Sequence, residues 1–485
     1  MQKKFIQNLS LLLAVNLLIK PFWILGVDRA VQGEVGTEAY GLYFAIFNFS
    51  FLLNIFLDFG ITNFNNKNIA QNNHLINKHF SSIMVLKLML GVFYMLFTMG
   101  AGYAIGYRGH QMWLLFIMGI NQFLAFMLMY LRSNLAGLHL FKTDAIVSVL
   151  DRSLMILFCG LLLWTNVFGV EFSIDWYIYL QTLAYSITVV IAFVLVMKKA
   201  KFVSLKWNYP FFVLVLKKSF PFAILVLLMT FYGRFDTVIL ERMLPNGAEQ
   251  SGIYAAAFRL LDAANMMSFL FAGMLLPIFA RMIKYKESVE QLVKLSFTIL
   301  IIPACVVAVG CMFYAHEIMA LLYKEHVDEA ARVFEILMWC FIPASLTYIF
   351  GTLLTANGSL MYLNIMALSG MLFNLIFNFI LIPRFESQGA AIASLSTQTL
   401  TALIQILLAY KIFKFRFNTK LLIRMAVFMP SIAFLCWLSK EISNPYSGQY
   451  VWIVQLMLYS FASIALAFGI KLLRIKSIFR ILKYG

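Results

Sequence analysis

Residues 36–54 read GTEAYGLYFAIFNFSFLLN, and residues 247–265 read GAEQSGIYAAAFRLLDAAN. Aligned without a gap at an offset of 211 residues, the two stretches share seven identities in 19 positions. The identical pairs are Gly36/Gly247, Glu38/Glu249, Gly41/Gly252, Tyr43/Tyr254, Ala45/Ala256, Phe47/Phe258 and Asn54/Asn265. This match indicates an internal repeat, in which one structural unit occurs twice in the chain. A chance match between two helix starts rich in glycine and aromatic residues is the alternative.

The composition around the repeat is that of a membrane protein. Of the 485 residues, 62% are hydrophobic and only 12% are charged, whereas soluble domains average about 45–50% apolar and roughly 25% charged residues. The net charge of +17 would suit nucleic acid, but the basic residues are spread between hydrophobic segments and form no single patch. We therefore expect an integral membrane protein that binds membrane lipids and no nucleic acid.

The hydrophobic segments predict an all-α integral membrane protein with about 14 transmembrane helices, since each span needs about 20 mostly apolar residues. The segments begin near residues 8, 40, 82, 112, 145, 177, 220, 253, 292, 331, 363, 389, 421 and 450. Polar Asn16 and Lys20 interrupt the first segment. A retained helix is therefore expected there, in preference to a cleaved signal peptide.

Lysine and arginine in the loops predict the orientation of the spans. One set of loops, together with both termini, carries 26 basic residues, Arg132 among them, and the opposite set carries seven. This asymmetry places both termini in the cytoplasm and requires an even number of spans.

The repeat offset covers six predicted helices, so the two copies have the same orientation in the membrane. Parallel repeats of this kind build many transporters. We predict an N-terminal lobe of helices 1–6 (residues 1–200), a C-terminal lobe of helices 7–12 (residues 201–415), and two additional helices with a basic cytoplasmic tail (residues 416–485). The two lobes are expected to enclose a central cleft.

Charged residues inside the predicted spans are the candidate functional residues. A charge at mid-membrane costs roughly 2.5–3.5 kcal/mol, so such side chains are expected to face a bundle interior or a wet cavity. Counted from the helix ends, Lys20, Asp236 and Asp262 lie about 10–15 Å below the outer surface, with Arg234 and Arg259 at similar depth. Since the planar guanidinium suits phosphate, we assign Lys20, Arg234 and Arg259 to substrate binding and the two acids to charge balance or ion coupling.

Three further charges in the spans are weaker candidates or have another expected role. Asp151 and Arg152 lie closer to the cytoplasmic end of the fifth helix, and Lys87 is expected to extend to the interface from the third. If the seventh span is a regular helix, Arg234 points about 200° away from Asp236, so each needs a partner on another helix. The alternative interpretation of all these charges is a salt-bridge network that only holds the lobes together.

The chain shows none of the motifs that would indicate catalysis or a cofactor. The six histidines fall in loops or helix ends without metal-ligand spacing, and neither a P-loop nor a G-x-S-x-G motif is present. We therefore expect no catalytic residue, no metal site and no cofactor, with H+ or Na+ as the candidate coupling ion.

Several stretches resemble the oligosaccharide flippases of bacterial polysaccharide synthesis, in the multidrug/oligosaccharidyl-lipid/polysaccharide exporter superfamily. They are GTEAYGLYFAIFNF (36–49), YGRFDTVIL (232–240), SGIYAAAFRLLD (251–262), LLPIFARM (275–282), IMALLYKEHVDEAARVFEIL (318–337) and LIPRFESQGAAIASLSTQ (381–398). The chain departs from the family at Lys324, where Gly is frequent, and after Pro383, where Tyr-Gly is frequent.

The resemblance implies a transporter, and no enzyme, in the bacterial inner membrane. It would move a lipid-linked oligosaccharide, usually on a polyprenyl diphosphate, to the outer leaflet for polysaccharide such as the O-antigen of lipopolysaccharide, with polymerase machinery as a partner. A peptidoglycan-precursor flippase and a drug/cation antiporter are alternatives of the same fold, and the buried cations favour an anionic substrate. A membrane polymerase or acyltransferase is disfavoured, because the outer loops are short and the spans lack histidine.

Overall fold

The computed structural model describes residues 15–16, 18–62, 65, 69, 75–138, 140–165, 171–200, 207–415, 418–441 and 451–473. In this part of the chain every regular element is helical. The elements are α1 (Trp23–Asp28, π-helical), α2 (Arg29–Val35), α3 (Thr37–Leu52), α4 (Ile55–Asp58), α5 (Leu75–Ala104), α6 (His110–Gly137), α7 (Phe141–Trp164), α8 (Ile174–Met197), α9 (Tyr209–Arg234), α10 (Asp236–Met243), α11 (Gly247–Lys284), α12 (Glu290–Phe313), α13 (Ala315–Leu322), α14 (Val327–Trp339), α15 (Phe341–Ala356), α16 (Leu360–Phe413), α17 (Thr419–Glu441) and α18 (Val451–Gly469).

Nine of the described helices, and the continuous pair α14–α15 as a tenth, are long and apolar enough to cross a membrane, and the pair α9–α10, bent by 47°, is an eleventh candidate. One of the ten, α16, runs for 54 residues but has non-helical backbone at Glu386, so it joins two helices across a kink. The predicted all-α membrane class is confirmed. The count of fourteen stays a prediction, because the first predicted span begins outside the described residues and α3 has only 16 residues.

Local sequence signals set where the helices begin. Ser173 precedes α8, and its hydroxyl accepts a hydrogen bond from the backbone N–H of Trp176. Asn208 caps α9 in the same way through the N–H of Phe211, and a proline occupies the first turn. Small polar caps and an early proline satisfy or remove backbone donors that a helix start leaves without partners.

The chain divides into two compact units, Met1–Gly252 (unit 1) and Ile253–Gly485 (unit 2). The predicted lobes 1–200 and 201–415 and the additional segment 416–485 stay a prediction. Within unit 2, α17 and α18 pack on α12. The Tyr459 hydroxyl of α18 donates a hydrogen bond to the Val306 carbonyl of α12 at 2.9 Å.

The interior of unit 1 combines an apolar core with buried polar side chains. Phe80, Tyr130, Val196 and Phe212 belong to one buried cluster contributed by α5, α6, α8 and α9. The Tyr130 hydroxyl donates to the Phe80 carbonyl at 3.2 Å, as a buried hydroxyl needs a partner. In the same unit α7 packs against α1 and α8.

Candidate functional site

A buried carboxylate lies at the end of the π-helical stretch α1. Asp28 is only 1% exposed and accepts hydrogen bonds from the Tyr40 hydroxyl at 2.7 Å and the Tyr177 hydroxyl at 2.6 Å. Such π-helical turns are frequent at functional sites. Sequence reasoning missed Asp28, which is not among the charges that it placed inside the spans.

Aromatic rings surround this carboxylate and connect it to α7. The Trp23 and Tyr177 rings are parallel, with centroids 6.1 Å apart, and the Tyr43 ring meets Tyr177 edge-on at 5.2 Å. The guanidinium of Arg152 lies 5.6 Å from the Trp23 ring and 5.7 Å from the Tyr185 ring. These distances are within the range of cation–π attraction.

Arg152 is held by polar contacts as well as by rings. Its Nη2 donates to the Tyr185 hydroxyl at 3.0 Å, and its Nε lies 3.4 Å from a carboxylate oxygen of Asp151. The two side chains are 26% and 12% exposed, so the pair is largely desolvated. The two weaker sequence candidates are therefore built into one organised cluster with Trp23 and Tyr185.

Lys20 belongs to the same region of unit 1. It lies within electrostatic range of Arg132, Arg152 and Asp151. Arg132, which sequence reasoning assigned to a cytoplasmic loop, forms a two-pronged contact with Asp144 at 2.8 and 3.4 Å. Lys20 thus has both arginines and one carboxylate within electrostatic range, each arginine is paired with a carboxylate of α7, and we call Lys20, Arg132 and Arg152 the cationic cluster.

The predicted pair Arg234 and Asp236 lies at a helix break. The seventh span is not a regular helix, because α9 ends at Arg234, α10 begins at Asp236, and the two parts are bent by 47°. The intervening Phe235 keeps helical dihedrals, and the opposite orientation of the two side chains stays a prediction. The guanidinium of Arg234 lies 5.7 Å from the Phe51 ring. Asp236 is 1% exposed in the first turn of α10, where the helix dipole stabilises a carboxylate.

Arg259 and Asp262 lie about one turn apart on α11, both half-buried, in unit 2. Lys20 and Arg234 lie in unit 1. The convergence of Lys20, Arg234 and Arg259 on one substrate stays a prediction, as does the coupling role of Asp236 and Asp262.

The expectation for Lys87 was wrong. Its side chain is only 2% exposed and forms an ion pair with Asp58, and its Nζ also donates to the Leu57 carbonyl at 3.1 Å. Asp58 in turn accepts from the Thr62 backbone N–H at 3.2 Å and from the Thr62 hydroxyl. The second span breaks before α4, and Phe59 has a left-handed φ of 44°. The end of α4 at Phe59 leaves the Leu57 carbonyl and the Asp58 carboxylate next to α5, so the ammonium pairs inside the protein and does not reach the interface.

A further polar cluster lies at the end of α10. Arg242 pairs with Glu241 at 2.7 Å, lies 3.9 Å from the Tyr107 ring, and donates to the Gln111 side chain at 3.1 Å. Burial raises the pKa of the Tyr107 phenol, so it remains protonated at neutral pH. These contacts attach α10 to the connection between α5 and α6.

Metal ligands are not grouped in the part of the chain that the structure describes. There, no three His, Cys, Asp or Glu side chains lie close enough together to hold a metal ion.

The comparison with family models decides the family. The model described as "Polysaccharide biosynthesis protein" matches residues 5–283, more than half of the chain. The chain belongs to the polysaccharide biosynthesis protein family. The resemblance found in the sequence is thereby confirmed. No curated protein matches this family member in sequence.

Solved structures show the fold of this polysaccharide biosynthesis protein. The lipid II flippase MurJ in an inward closed conformation matches with a TM-score of 0.72 at 12% identity, over 95% of this chain and 97% of that chain. An inward-facing multidrug resistance MATE family transporter of the MOP superfamily matches at 0.65 and 13% identity, over 84% and 98%. A MOP superfamily transporter from Pyrococcus furiosus, reported with a binding pocket of reverse polarity, matches at 0.62 and 16% identity, over 85% and 96%. At these identities the likeness shows the fold alone.

Proposed function

We propose that this polysaccharide biosynthesis protein moves a lipid-linked oligosaccharide, carried on a polyprenyl diphosphate, from the cytoplasmic to the outer leaflet. It would act in the bacterial inner membrane with both termini in the cytoplasm, as a transporter and not as an enzyme. The observation that carries the proposal is the cationic cluster of Lys20, Arg132 and Arg152 within unit 1.

Electrostatics explains why such a cluster suits a diphosphate. An anionic headgroup cannot enter the apolar core unless fixed positive charge replaces its water shell, since charges at low dielectric need partners. Arg152 offers a planar fork that matches phosphate oxygens, and its position is set by Trp23 and Tyr185. Asp144 and Asp151 offset part of the positive charge while no substrate is bound.

The aromatic residues beside the cations support a glycan on the same lipid. Trp23, Tyr43, Tyr177 and Tyr185 combine an apolar ring with a polar edge, and such rings can pack against sugar faces while their polar groups bond to hydroxyls. The same cluster argues against a drug/cation antiporter, because its cations outnumber the carboxylates paired with them and would disfavour a cationic drug.

A peptidoglycan precursor is the second candidate substrate. The fold likeness to a lipid II flippase over 95% of this chain favours it, and it shares the diphosphate chemistry that the cluster would bind. Assignment to surface polysaccharide, with polymerase machinery acting on the product, rests on the family match to residues 5–283. H+ or Na+ remains our candidate coupling ion, with Asp236 and Asp262 as candidate carriers.

The test is a flipping assay in proteoliposomes. The assay would compare three fluorescent lipids: a polyprenyl diphosphate oligosaccharide, the same lipid as a monophosphate, and a lipid II analogue. Flipping would be measured as the loss of fluorescence to a membrane-impermeant quencher. We expect protein-dependent flipping of diphosphate lipids, faster for the oligosaccharide than for the lipid II analogue. Preference for the lipid II analogue would select the second candidate, and failure to flip any diphosphate lipid would overturn both.

A further inference from the structure

The acidic residues of this chain are distributed unevenly. Residues 387–485 contain eleven basic residues and a single acid, Glu441, whereas residues 1–386 contain 27 basic residues and 20 acids. Glu441 ends α17 on the predicted outer side, next to Lys440. The other ten basic residues of this C-terminal part lie on the predicted cytoplasmic side, without any acid from the same part. The positive-inside rule accounts for the lysines and arginines there, but it sets no condition on acids.

Three of these cations meet where α17 begins and α18 ends. Lys420 and Arg424 lie one turn apart on α17, so they project from the same side of the helix. The Nη1 atom of Arg424 donates a hydrogen bond to the backbone carbonyl of Lys471 at 3.0 Å, just beyond the last turn of α18. The two helices also pack against each other. We call Lys420, Arg424 and Lys471 the basic corner of unit 2.

The basic corner has no acid nearby in the sequence. Residues 387–440 and 442–485 contain neither Asp nor Glu. Both helices of the corner pack on α12, whose first residue, Glu290, already forms an ion pair with Lys294 at 2.6 Å. The corner therefore keeps an excess of positive charge, which favours an anion from outside the chain as its partner.

The basic corner borders an apolar surface. Lys420 and Lys471 are exposed, and so are the apolar side chains of Leu422 (49%) and Ile423 (64%) in the turn that follows Lys420. Exposed apolar side chains on a membrane-spanning helix lie against acyl chains. The cations are therefore placed at the level where lipid headgroups meet the hydrocarbon.

We propose that the basic corner is a binding site for the phosphate of an anionic phospholipid in the cytoplasmic leaflet, with the acyl chains of that lipid along the exposed apolar face at the start of α17. Clusters of lysine and arginine just cytoplasmic of a span attract anionic headgroups, and basic pockets between spanning helices bind them. The guanidinium of Arg424 keeps donors beyond the one bonded to Lys471, and such donors suit phosphate oxygens.

The bound lipid would hold the α17–α18 pair at the cytoplasmic leaflet. The site lies in unit 2, whereas the cationic cluster that would bind the transported diphosphate lies in unit 1. The lipid site therefore stands or falls independently of the proposed function, and its tests need no transported substrate.

Native mass spectrometry of the full chain, purified in detergent, tests the site. Phosphatidylglycerol and phosphatidylcholine with identical acyl chains would be titrated onto wild type and onto Lys420→Gln/Lys471→Gln. The double variant removes two charges but keeps the hydrogen bond from Arg424, because that bond goes to the backbone of Lys471. We expect wild type to bind phosphatidylglycerol more tightly than phosphatidylcholine. The dissociation constant of the tightest phosphatidylglycerol site should rise about tenfold or more in the double variant.

The matched control is Lys284→Gln/Lys286→Gln. These two lysines are exposed on the predicted cytoplasmic side, at the end of α11, and Lys286 has the same left-handed backbone as Lys471, with φ of 57° and 58°. Unlike the basic corner, they lie next to an acid, Glu287. The control should keep the wild-type affinity for phosphatidylglycerol. Equal losses in both double variants would reduce the effect to net charge and overturn the site.

A soluble anion is the other ligand with the same chemistry. Glycerol phosphate carries the phosphate of phosphatidylglycerol without acyl chains, so it would be added as a competitor in the same titration. We expect phosphatidylglycerol to stay bound in a large excess of glycerol phosphate. Displacement by the soluble anion, or equal affinities of wild type for phosphatidylglycerol and phosphatidylcholine, would overturn the assignment to an anionic lipid.

Crosslinking in vesicles tests where the lipid binds. The photoreactive residue p-benzoylphenylalanine would replace either Ile423, which is 64% exposed beside the basic corner, or Ile365, which is 56% exposed near the predicted cytoplasmic end of α16. Ile365 is the control, because residues 333–383 contain neither Lys nor Arg.

The vesicles would contain equal parts of phosphatidylglycerol and phosphatidylcholine. We expect lipid crosslinked at Ile423 to be enriched in phosphatidylglycerol about threefold or more, and lipid crosslinked at Ile365 to match the composition of the vesicle. The same lipid composition at both positions would overturn the proposal.

Discussion

Arg152 of α7 and Tyr185 of α8 are joined by a hydrogen bond of 3.0 Å from Nη2 to the hydroxyl, and the guanidinium carbon lies 5.7 Å from the centroid of the same ring. The contact fixes the orientation of a cation inside the membrane. A guanidinium held in this way presents its remaining edges in a defined direction, which is what recognition of a phosphate group requires.

Arg152→Lys keeps the positive charge but removes the planar fork. We expect flipping of polyprenyl diphosphate oligosaccharide to fall about tenfold or more at normal abundance, since a charge-assisted hydrogen bond contributes about 1.5–3 kcal/mol. Initial rates in proteoliposomes check this. The matched control is Arg384→Lys, at an exposed arginine of unit 2, which should flip at the wild-type rate. An Arg152→Lys rate equal to that of the control would contradict a role in phosphate recognition.

The buried pair of Lys87 and Asp58 yields a prediction about stability. Lys87→Met leaves a buried carboxylate without its counter-ion, which costs about 3–5 kcal/mol. The thermal midpoint in detergent should fall clearly, and adding Asp58→Asn should recover most of the loss because no charge is then stranded.

The matched control for Lys87 is Lys294→Met. Lys294 pairs with Glu290 four residues earlier on α12, with side chains 43% and 29% exposed, and a pair of this kind contributes about 0.3–0.5 kcal/mol. The thermal midpoint of Lys294→Met should therefore barely change. If Lys87→Met left the thermal midpoint equally unchanged, the ion pair would be unimportant for stability. If the double variant had the same midpoint as Lys87→Met, an unpaired buried charge would not be the cause of the lost stability.

Asp28 provides a test of whether the carboxylate at the π-helical stretch is charged. Tyr177→Phe removes a hydrogen bond to this carboxylate. The matched variant is Tyr94→Phe, because Tyr94 is equally buried and its hydroxyl donates to the neutral Ser50 carbonyl at 2.8 Å. Bonds to charged acceptors contribute about 1.5–3 kcal/mol and neutral ones about 0.5–1.5 kcal/mol. Tyr177→Phe should therefore lower the thermal midpoint more than Tyr94→Phe does. Equal shifts would indicate that Asp28 is neutral in the folded protein.

The sequence was sufficient for the membrane class and for most of the described helices, because long apolar runs act locally. It also identified Lys20 and Arg152 as charges inside spans. Which charges meet depends on helix packing, and this could not be read from the spacing along the chain. Arg132 was assigned to a loop although it joins the cationic cluster.

Breaks in the helices account for the other differences. The π-helical stretch at Asp28, the interruption before α4 and the bend at Phe235 were not predicted from the sequence. The Lys87–Asp58 pair joins residues 29 positions apart on two different helices, α4 and α5, so spacing along one helix could not predict it. Asp58 does stand out as the acid within an apolar run, and that signal could have identified it.

The central claim is that the cationic cluster of unit 1 binds the diphosphate of a lipid-linked oligosaccharide. The most direct measurement is equilibrium binding of a polyprenyl diphosphate oligosaccharide to the purified protein, comparing wild type with the Lys20→Gln/Arg152→Gln variant and with Arg384→Gln. The account predicts a dissociation constant about tenfold or more above wild type for the double variant and a wild-type value for the control. Equal dissociation constants for all three proteins would contradict it.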